Sequence, residues 1–226
     1  LWPLHLSRLQ YTAEQLAIKI ADWDLISSAV LNAIAAQNTD NAVLKIQISR
    51  GSGNRGYSPA GIVPASIYIS MSTLPDYSRW QQRGVTLALA ELQLAVQPLL
   101  AGLKHCNRLE QVLLKQQAIS RGVDDLLVCD QQGYVTEAIA ANLFLHRQGH
   151  WYTPELKRAG VAGVMRSYVL SRDPDIEQVN WRLPELNKVD AMVLTNALMG
   201  AVPVQSYNKQ PLDLALAKTW CNKLLC

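Results

Sequence analysis

The sequence predicts a protein of the α+β or α/β class, with a small N-terminal α/β domain and a larger C-terminal α/β domain. Its 226 residues suffice for two modest domains, and 49% of them are hydrophobic, enough for a sizeable core. Helical and strand-like hydrophobic patterns alternate along the chain. A polar, proline-containing stretch interrupts this alternation. We therefore predict the small domain at 1–73, the connection at 74–83 and the large domain at 84–226.

The small domain is predicted to contain a pair of helices followed by a pair of strands. Leucine and isoleucine recur among polar residues over 3–22, and a second apolar face runs through 23–37; both patterns are typical of amphipathic helices. Residues 42–49 alternate between apolar and polar, as a half-buried strand does. A glycine-rich loop over 50–61 then leads to a second strand over 63–72.

The large domain is predicted to alternate strands and helices. It opens with a strand at 85–89, and its first clear helix covers 105–121, where Gly122 is well placed to end it. Further strands are predicted at 125–130, 141–147, 151–153 and 191–194, and further helices at 163–172 and 211–224.

Composition argues against several classes of protein. The formal charge of +3 comes from scattered Lys and Arg, so nucleic acid is not expected as a partner. No apolar run approaches the ~20 residues of a membrane span. Four cysteines without CxxC spacing or a nearby His cluster predict no metal site. Sparse cysteines and a start without a signal-peptide pattern favour the cytoplasm. Because Leu1 is not Met, we expect the natural chain to begin earlier.

Lys104 lies in the segment Gly-Leu-Lys-His-Cys-Asn-Arg-Leu-Glu, residues 102–110, which follows an irregular stretch. A lysine amine can serve as a covalent catalyst when burial or neighbouring cations favour its uncharged form. A lysine at a helix start is otherwise usually a solvated surface residue. The residues around Lys104 therefore decide how it is interpreted.

Three segments together resemble the active site of fold-type-IV pyridoxal-phosphate enzymes, and among these the aminodeoxychorismate lyases. They are residues 102–110, Arg-Gly-Ser-Gly-Asn-Arg-Gly-Tyr at 50–57, and Thr-Glu-Ala-Ile-Ala-Ala-Asn-Leu-Phe at 136–144. The resemblance implies the fold-type-IV architecture, with pyridoxal phosphate at the domain interface. It makes Lys104 the catalytic lysine that holds the cofactor, and Glu137 the carboxylate that keeps its pyridine nitrogen protonated. Without the resemblance, Glu137 would be interpreted as a solvent-facing carboxylate.

The cofactor phosphate requires amide donors and a cation. Residues 159–166 place two glycines just before a predicted helix, which by itself is a common pattern. The resemblance places the phosphate here, with a second contribution from the 195–199 loop. The residues that it implies are Gly163, Val164, Met165, Asn196 and Ala197.

Three arginines and a tyrosine complete the predicted site. The resemblance implies that Arg8, in a His-Leu-Ser-Arg-Leu segment, is the cationic partner of the phosphate. It also makes the glycine-rich loop the substrate reader, with Arg50, Arg55 and Tyr57 as ligands of the substrate carboxylates. The alternatives are a solvated arginine on an amphipathic helix and an ordinary hairpin loop.

The implied activity is conversion of aminodeoxychorismate to 4-aminobenzoate and pyruvate, in folate synthesis, by a homodimer. Two alternatives remain open from the sequence. One is a branched-chain or D-amino-acid aminotransferase of the same fold, and the other is a non-catalytic homologue that acts as a structural dimer. The family begins with a few dozen residues, including a Phe-Gly-Asp-Gly-type segment, that have no counterpart in this chain.

Overall fold

The computed structural model describes residues 1–37, 41–60 and 64–225. The chain divides into two compact units, Trp2–Pro75 and Asp76–Cys226. Both units combine helices and strands, as the hydrophobic patterns predict. The domain boundaries at 73 and 84 stay predictions.

The smaller unit consists of a helix pair and a β-hairpin. Helices α1 (Trp2–Gln15) and α2 (Trp23–Ala35) precede strands β1 (Ala42–Ser49) and β2 (Ser66–Thr73). The strands are antiparallel, and their register pairs the first residue of β1 with the last of β2. Asp22 begins α2, because its carboxylate accepts hydrogen bonds from two backbone amides of the first turn.

Two boundaries in the smaller unit differ from the predicted ones. Helix α1 ends seven residues before the predicted end, because the backbone at Ala17 turns left-handed (φ 50°) and Ile18 N–H donates back to the Ala13 carbonyl. Strand β2 begins at Ser66 rather than 63. Residues 61–63, which end the predicted loop and start the predicted strand, lie outside the described residues.

The larger unit carries one mixed sheet and four α-helices within its described residues. Its elements, in chain order, are α3 (Ser78–Arg83), β3 (Val85–Leu89), α4 (Leu109–Arg121), β4 (Asp125–Cys129), β5 (Val135–Ala138), β6 (Asn142–Arg147), β7 (His150–Pro154), α5 (Val164–Arg172), β8 (Glu177–Val179), a 3₁₀ helix (Leu183–Lys188), β9 (Ala191–Asn196), β10 (Gly200–Tyr207), β11 (Gln210–Pro211) and α6 (Leu214–Leu225).

Nine strands form this sheet in the order β5-β4-β3-β10-β9-β6-β7-β8, with β11 paired to β10. The pairs β3–β4, β3–β10 and β7–β8 are parallel, and the others are antiparallel. All residues of β4 and β5 are buried, as are all but the last of β6. These three strands therefore offer a rigid, dry frame for any side chain placed on them.

Several elements of the larger unit depart from the predictions. Helix α4 starts at Leu109 instead of 105, while Gly122 ends it in a left-handed conformation as predicted. Helix α3 lies inside the stretch predicted to be a connection. Strand β10 is absent from the predicted elements; it contains Pro203, a residue that is rare in interior strands. No helix in the described part of the chain is both long and apolar enough to cross a bilayer.

Candidate active site

Lys104 lies in an irregular segment that is held by the side chain of Arg108. Lys104 itself is exposed, whereas Leu103 is buried. The Arg108 guanidinium donates to the Leu103 carbonyl (Nη2, 3.0 Å) and to the His105 carbonyl (Nε, 3.1 Å), so it brackets the backbone of Lys104. A helix starting at 105 would use the His105 carbonyl for its own backbone, which explains why α4 begins later.

Glu137 is a buried carboxylate in the middle of β5. Its side chain is 4% exposed, and its Oε2 accepts a hydrogen bond from Val161 N–H at 2.9 Å. Burial raises the pKa of Glu137 to about 7, while the Val161 amide and the positive charges of Arg108 and Lys104 act in the opposite direction. The structure thus brings Glu137 into electrostatic range of Lys104, two residues that the sequence separates by more than thirty positions.

A short loop, residues 160–163, connects these groups through its backbone. Gly102 N–H donates to the Gly160 carbonyl and Ala162 N–H donates to the Gly102 carbonyl, both at 3.0 Å. The loop is therefore fixed to the chain two residues before Lys104. Gly160 has φ +83°, and a Cβ there would lie 3.1 Å from Glu137 Oε2, so only glycine fits without strain.

The same loop leads into the first turn of α5. Gly163 is the residue before the helix, and its own N–H donates to Asn142 Oδ1 at 3.0 Å. Gly163 brings no capping side chain to the helix start, where Val164 and Met165 are buried. The amide groups of a helix start attract anions through their N–H donors and the helix dipole. This end of α5 therefore suits a phosphate group.

A methyl group at position 163 should be poorly tolerated. Gly163 has an ordinary φ of −68°, but an added Cβ would lie 2.1 Å from Asn142 Oδ1. We expect Gly163→Ala to lower the free energy of unfolding by about 1–3 kcal/mol, measured by urea denaturation. The matched control is the same substitution in an Asn142→Ala background, where the methyl group should cost much less. An equal loss in both backgrounds would contradict the steric explanation.

The loop between β9 and β10 uses the Asn196 side chain for its own structure. Asn196 Oδ1 accepts from the Leu198 and Met199 amides, each at 2.9 Å, and its Nδ2 donates to the Ala140 carbonyl at 3.1 Å. The side-chain amide thus closes the turn and links it to the segment between β5 and β6. Any phosphate contact from Asn196 or Ala197 would come from the backbone, and it stays a prediction.

Arg50 has a structural contact that the sequence did not indicate. Its guanidinium donates to the Ala17 carbonyl at 2.9 Å and also to the Leu16 carbonyl, where α1 has just ended. These contacts connect the start of the glycine-rich loop to the end of the first helix within the smaller unit. They give Arg50 a role in holding the loop, beside the predicted role in binding substrate.

The other predicted residues of the smaller unit differ in exposure. Arg8 is half-buried on α1, and burial lowers its pKa. Arg55 and Tyr57 are exposed on the glycine-rich loop. Both loop residues are thus available to a ligand, and their binding roles stay predictions.

Asp125 is a second buried carboxylate close to Glu137. It is 8% exposed at the start of β4, and its Oδ1 accepts from Leu126 N–H (2.7 Å) and Ile139 N–H (3.0 Å). Burial raises its pKa to about 6, against the effect of these two hydrogen bonds. The charge of Asp125 contributes in turn to the raised pKa of Glu137. Asp125 therefore holds the turn after β5 and adds negative potential to the site.

The raised pKa of Asp125 predicts a pH-dependent stability. Because its folded pKa lies above the unfolded value of 3.8, its contribution is complete below about pH 4 and is lost as the pH rises through about 6. Asp125→Asn keeps an Oδ1 acceptor for both amides. Above pH 6 it should raise the free energy of unfolding by on the order of 2 kcal/mol, with little difference at pH 4. Denaturant titrations at both pH values test this, with exposed Asp175→Asn as the control.

Sequence reasoning assigned no role to two residues that shape the site, Asp125 and Asn142, and it did not predict the contacts that Arg108 and Gly160 make. Arg108 and Asn142 stand inside the motifs quoted for the resemblance, but their partners become visible only in three dimensions. A cavity of about 740 Å³ lies beside this region, and its walls include Arg108 and Gly160. Within the described residues, no group of three or more His, Cys, Asp or Glu is arranged to hold a metal ion.

Comparison with known proteins finds relatives that cover nearly the whole chain. An aminodeoxychorismate lyase of Vibrio harveyi is 35% identical over 224 residues, covering 96% of this chain and 82% of the relative. The crystal structure of 4-amino-4-deoxychorismate lyase from Pseudomonas aeruginosa matches with a TM-score of 0.89 at 36% identity, covering 99% and 84% of the two chains. The branched-chain amino acid aminotransferase from Escherichia coli, at 19% identity and a TM-score of 0.83, covers 97% and 75% and shares the fold.

These likenesses confirm the predicted fold-type-IV architecture and the resemblance on which it was based. The model of the amino-transferase class IV family matches residues 1–207, which is most of the chain. Its members depend on pyridoxal phosphate. This chain belongs to the amino-transferase class IV family.

Proposed function

We propose that the protein is a pyridoxal-phosphate-dependent lyase that converts 4-amino-4-deoxychorismate to 4-aminobenzoate and pyruvate. The observation that carries the proposal is the likeness to two aminodeoxychorismate lyases, at 35% and 36% identity over at least 96% of the chain. The arrangement and chemistry of Lys104, Glu137 and the start of α5 also support the proposal.

The residues present fit pyridoxal phosphate. The buried carboxylate of Glu137 suits a cationic N–H partner, and pairing with a protonated pyridine nitrogen would offset the cost of burying its charge. Lys104 is an exposed residue, so an aldehyde can reach it from solvent. The first turn of α5, with Gly163, Val164 and Met165, offers amide donors to a phosphate. Three chemically different groups of the cofactor would thus have partners in one structural unit.

The division of work between the chain's residues follows from their chemistry. When bound, pyridoxal phosphate supplies an electron sink next to the substrate nitrogen. Lys104 would hold the cofactor and then remove the proton from the carbon adjacent to the substrate amine. Glu137 would keep the ring nitrogen protonated. Loss of the enolpyruvyl ether as pyruvate leaves an aromatic ring, so the protein's main task is orientation and proton transfer.

The substrate carries two carboxylates, and we propose that the glycine-rich loop binds them. Arg55 and Tyr57 are exposed there, and Arg50 begins the same loop. Arginine pairs well with carboxylate because its planar guanidinium forms two parallel hydrogen bonds. We further propose Arg8 as a phosphate partner, a homodimer as the working assembly, and the cytoplasm as its location.

The decisive experiment uses the purified protein with pyridoxal phosphate. We expect a visible absorption band from the bound cofactor, and release of pyruvate and 4-aminobenzoate in equal amounts after addition of 4-amino-4-deoxychorismate. Pyruvate is measured with lactate dehydrogenase, and 4-aminobenzoate by its fluorescence. A protein that binds the cofactor yet releases neither product would contradict the lyase proposal.

An aminotransferase is the second candidate, favoured by the family match and by the shared fold of the E. coli enzyme. Its test is a branched-chain or D-amino acid supplied with 2-oxoglutarate. Sustained amino transfer without lyase activity would select this candidate. A chain that stays colourless with the cofactor, and gains no mass on Lys104 after borohydride treatment, would instead select a non-catalytic homologue.

A further inference from the structure

We infer that Asn142 is a positioning residue that fixes the placement of Glu137 relative to the start of α5. Its side-chain amide would thereby fix two protein groups. These are Glu137, which would meet the ring nitrogen of the cofactor, and the start of α5, which would meet its phosphate. The inference rests on the proposed cofactor site. It concerns the chain's own geometry, however, and this geometry can be measured without cofactor.

Both ends of the Asn142 side chain are engaged by the 160–163 loop. Asn142 is the first residue of β6 and is 5% exposed. Its Nδ2 donates to the Val161 carbonyl at 2.8 Å, and its Oδ1 accepts from Gly163 N–H at 3.0 Å. A carboxamide presents a donor and an acceptor side by side, so it can hold two successive backbone groups of opposite polarity. An ionised aspartate and a leucine, which are of similar size, cannot satisfy both.

Val161 is the residue through which Asn142 acts on Glu137. Its carbonyl accepts from Asn142, and its N–H donates to Glu137 Oε2 at 2.9 Å. One loop residue is therefore held on both sides by side chains from β5 and β6, which are consecutive along the chain. A shift of Val161 away from Asn142 would also weaken the hydrogen bond that orients the Glu137 carboxylate. Removal of a buried partner is costly because the remaining polar group loses its only compensation.

Gly163 is the residue through which Asn142 acts on α5. It is the last residue before the helix, and its carbonyl accepts from Ser167 N–H at 2.9 Å in the first turn. The space beside Gly163 is filled by Asn142 Oδ1, which would lie 2.1 Å from an added Cβ. This close approach shows that the loop is packed directly against the amide group. The position at which α5 begins thus depends on Asn142.

Backbone hydrogen bonds also hold the loop from the side of Gly102. Gly102 exchanges hydrogen bonds with Gly160 and Ala162, and Gly102 has no side chain to replace. These bonds should keep the loop near its place when Asn142 is changed. Substitution at Asn142 therefore tests the exact position of the 160–163 loop more than the overall fold.

Hydrogen–deuterium exchange of individual amides in the cofactor-free protein provides the direct test. In Asn142→Ala, we expect the Val161 and Gly163 amides to exchange about tenfold faster, while the Asp173 amide, which donates to the Val169 carbonyl at the end of α5, keeps its rate. In Asn142→Asp, one carboxylate oxygen still accepts from Gly163 N–H. The other oxygen replaces Nδ2 and faces the Val161 carbonyl, to which it cannot donate. Only Val161 should then lose protection, although Asn142 does not touch its N–H. Asn180→Ala removes an exposed amide that donates to Glu155 and serves as the control.

Cofactor binding provides the second readout. We expect Asn142→Ala to lower the affinity for pyridoxal phosphate by about 10–100-fold, the range seen when residues that orient a ligand's direct partners are removed. Affinity for pyridoxal, which lacks the phosphate, should fall less. In the double variant Asn142→Ala/Glu137→Gln, the loss of affinity for pyridoxal phosphate should be smaller than the product of the losses in the two single variants.

The outcomes separate this inference from the proposed function. Unchanged exchange at Val161 in both variants, or losses that multiply fully in the double variant, would overturn the positioning role. A uniform increase of exchange throughout β6 and α5 would overturn it too, since that indicates general loosening. If Asn142→Ala does not fold, Asn142→Asp decides alone. Failure of the unmodified protein to bind the cofactor would refute the proposed function, while the exchange rates still decide the role of Asn142.

Discussion

Lys104→Ala is expected to abolish covalent attachment of the cofactor and to lower pyruvate release by about 10³-fold or more. The substitution removes the amine that would both hold the cofactor and move the substrate proton. It leaves the hydrogen bonds of Arg108 to the backbone on either side of Lys104, since these involve only the Leu103 and His105 carbonyls. The measurement is the mass of the protein after borohydride reduction, together with a pyruvate assay.

The fold should survive this change, because Lys104 is exposed. Lys115→Ala is the matched control: Lys115 is an exposed lysine whose Nζ donates to the Asp124 carbonyl at 3.3 Å. It should keep both the covalent adduct and the activity. Retention of a reduced adduct in Lys104→Ala would show that another amine is the attachment site. Partial recovery of activity with added methylamine would support the role of Lys104 as a base.

The predicted elements that matched best are those with a strong local signal. Helix α2 and strand β1 coincide with clear hydrophobic periods. Helix α4 ends just before Gly122 and helix α5 ends at Arg172, as predicted. The hydrophobic periodicity of a helix does not indicate which of its apolar residues are buried. Ile26 and Val30 of α2 are buried, whereas Leu31, equally apolar, is 59% exposed.

The errors occurred where a side-chain contact or the pairing of distant strands decides the local structure. Helix α4 starts late because the Arg108 side chain occupies the His105 carbonyl, a contact that no periodicity encodes. Strand β10 exists despite Pro203, because β3 and β9 pair with it on either side. Strand β5 has only four residues, too few for an alternating pattern to stand out.

The candidate site shows the same division. The resemblance identified Lys104 and Glu137, and the structure places them within electrostatic range of each other. It could not show that Asn142 holds the loop before α5, since the two lie about twenty residues apart and the β6–β7 hairpin lies between them. Arg50 illustrates the opposite case, because a residue expected to bind substrate also anchors its own loop.

Glu137→Gln is expected to keep the cofactor bound but to slow product formation by about 10²–10³-fold. The glutamine has nearly the same shape, and its oxygen can still accept from Val161 N–H. It cannot carry the negative charge that keeps the pyridine nitrogen protonated, so the cofactor becomes a weaker electron sink. The measurements are the pyruvate release rate and the cofactor absorption spectrum as a function of pH. Glu155→Gln, a half-buried carboxylate hydrogen-bonded to Asn180, is the matched control.

The same substitution has a second consequence that needs no cofactor. The folded pKa of Glu137, about 7, lies above the unfolded value of 4.5, so its contribution to stability is complete below about pH 4.5 and is lost as the pH rises through 7. Glu137→Gln removes this loss, and the cofactor-free variant should be more stable than the parent at pH 8 but not at pH 4. A slow, cofactor-binding variant with this gain at pH 8 would show that the parent sacrifices stability to keep a buried charge for catalysis. An unchanged rate of pyruvate release would remove Glu137 from the mechanism.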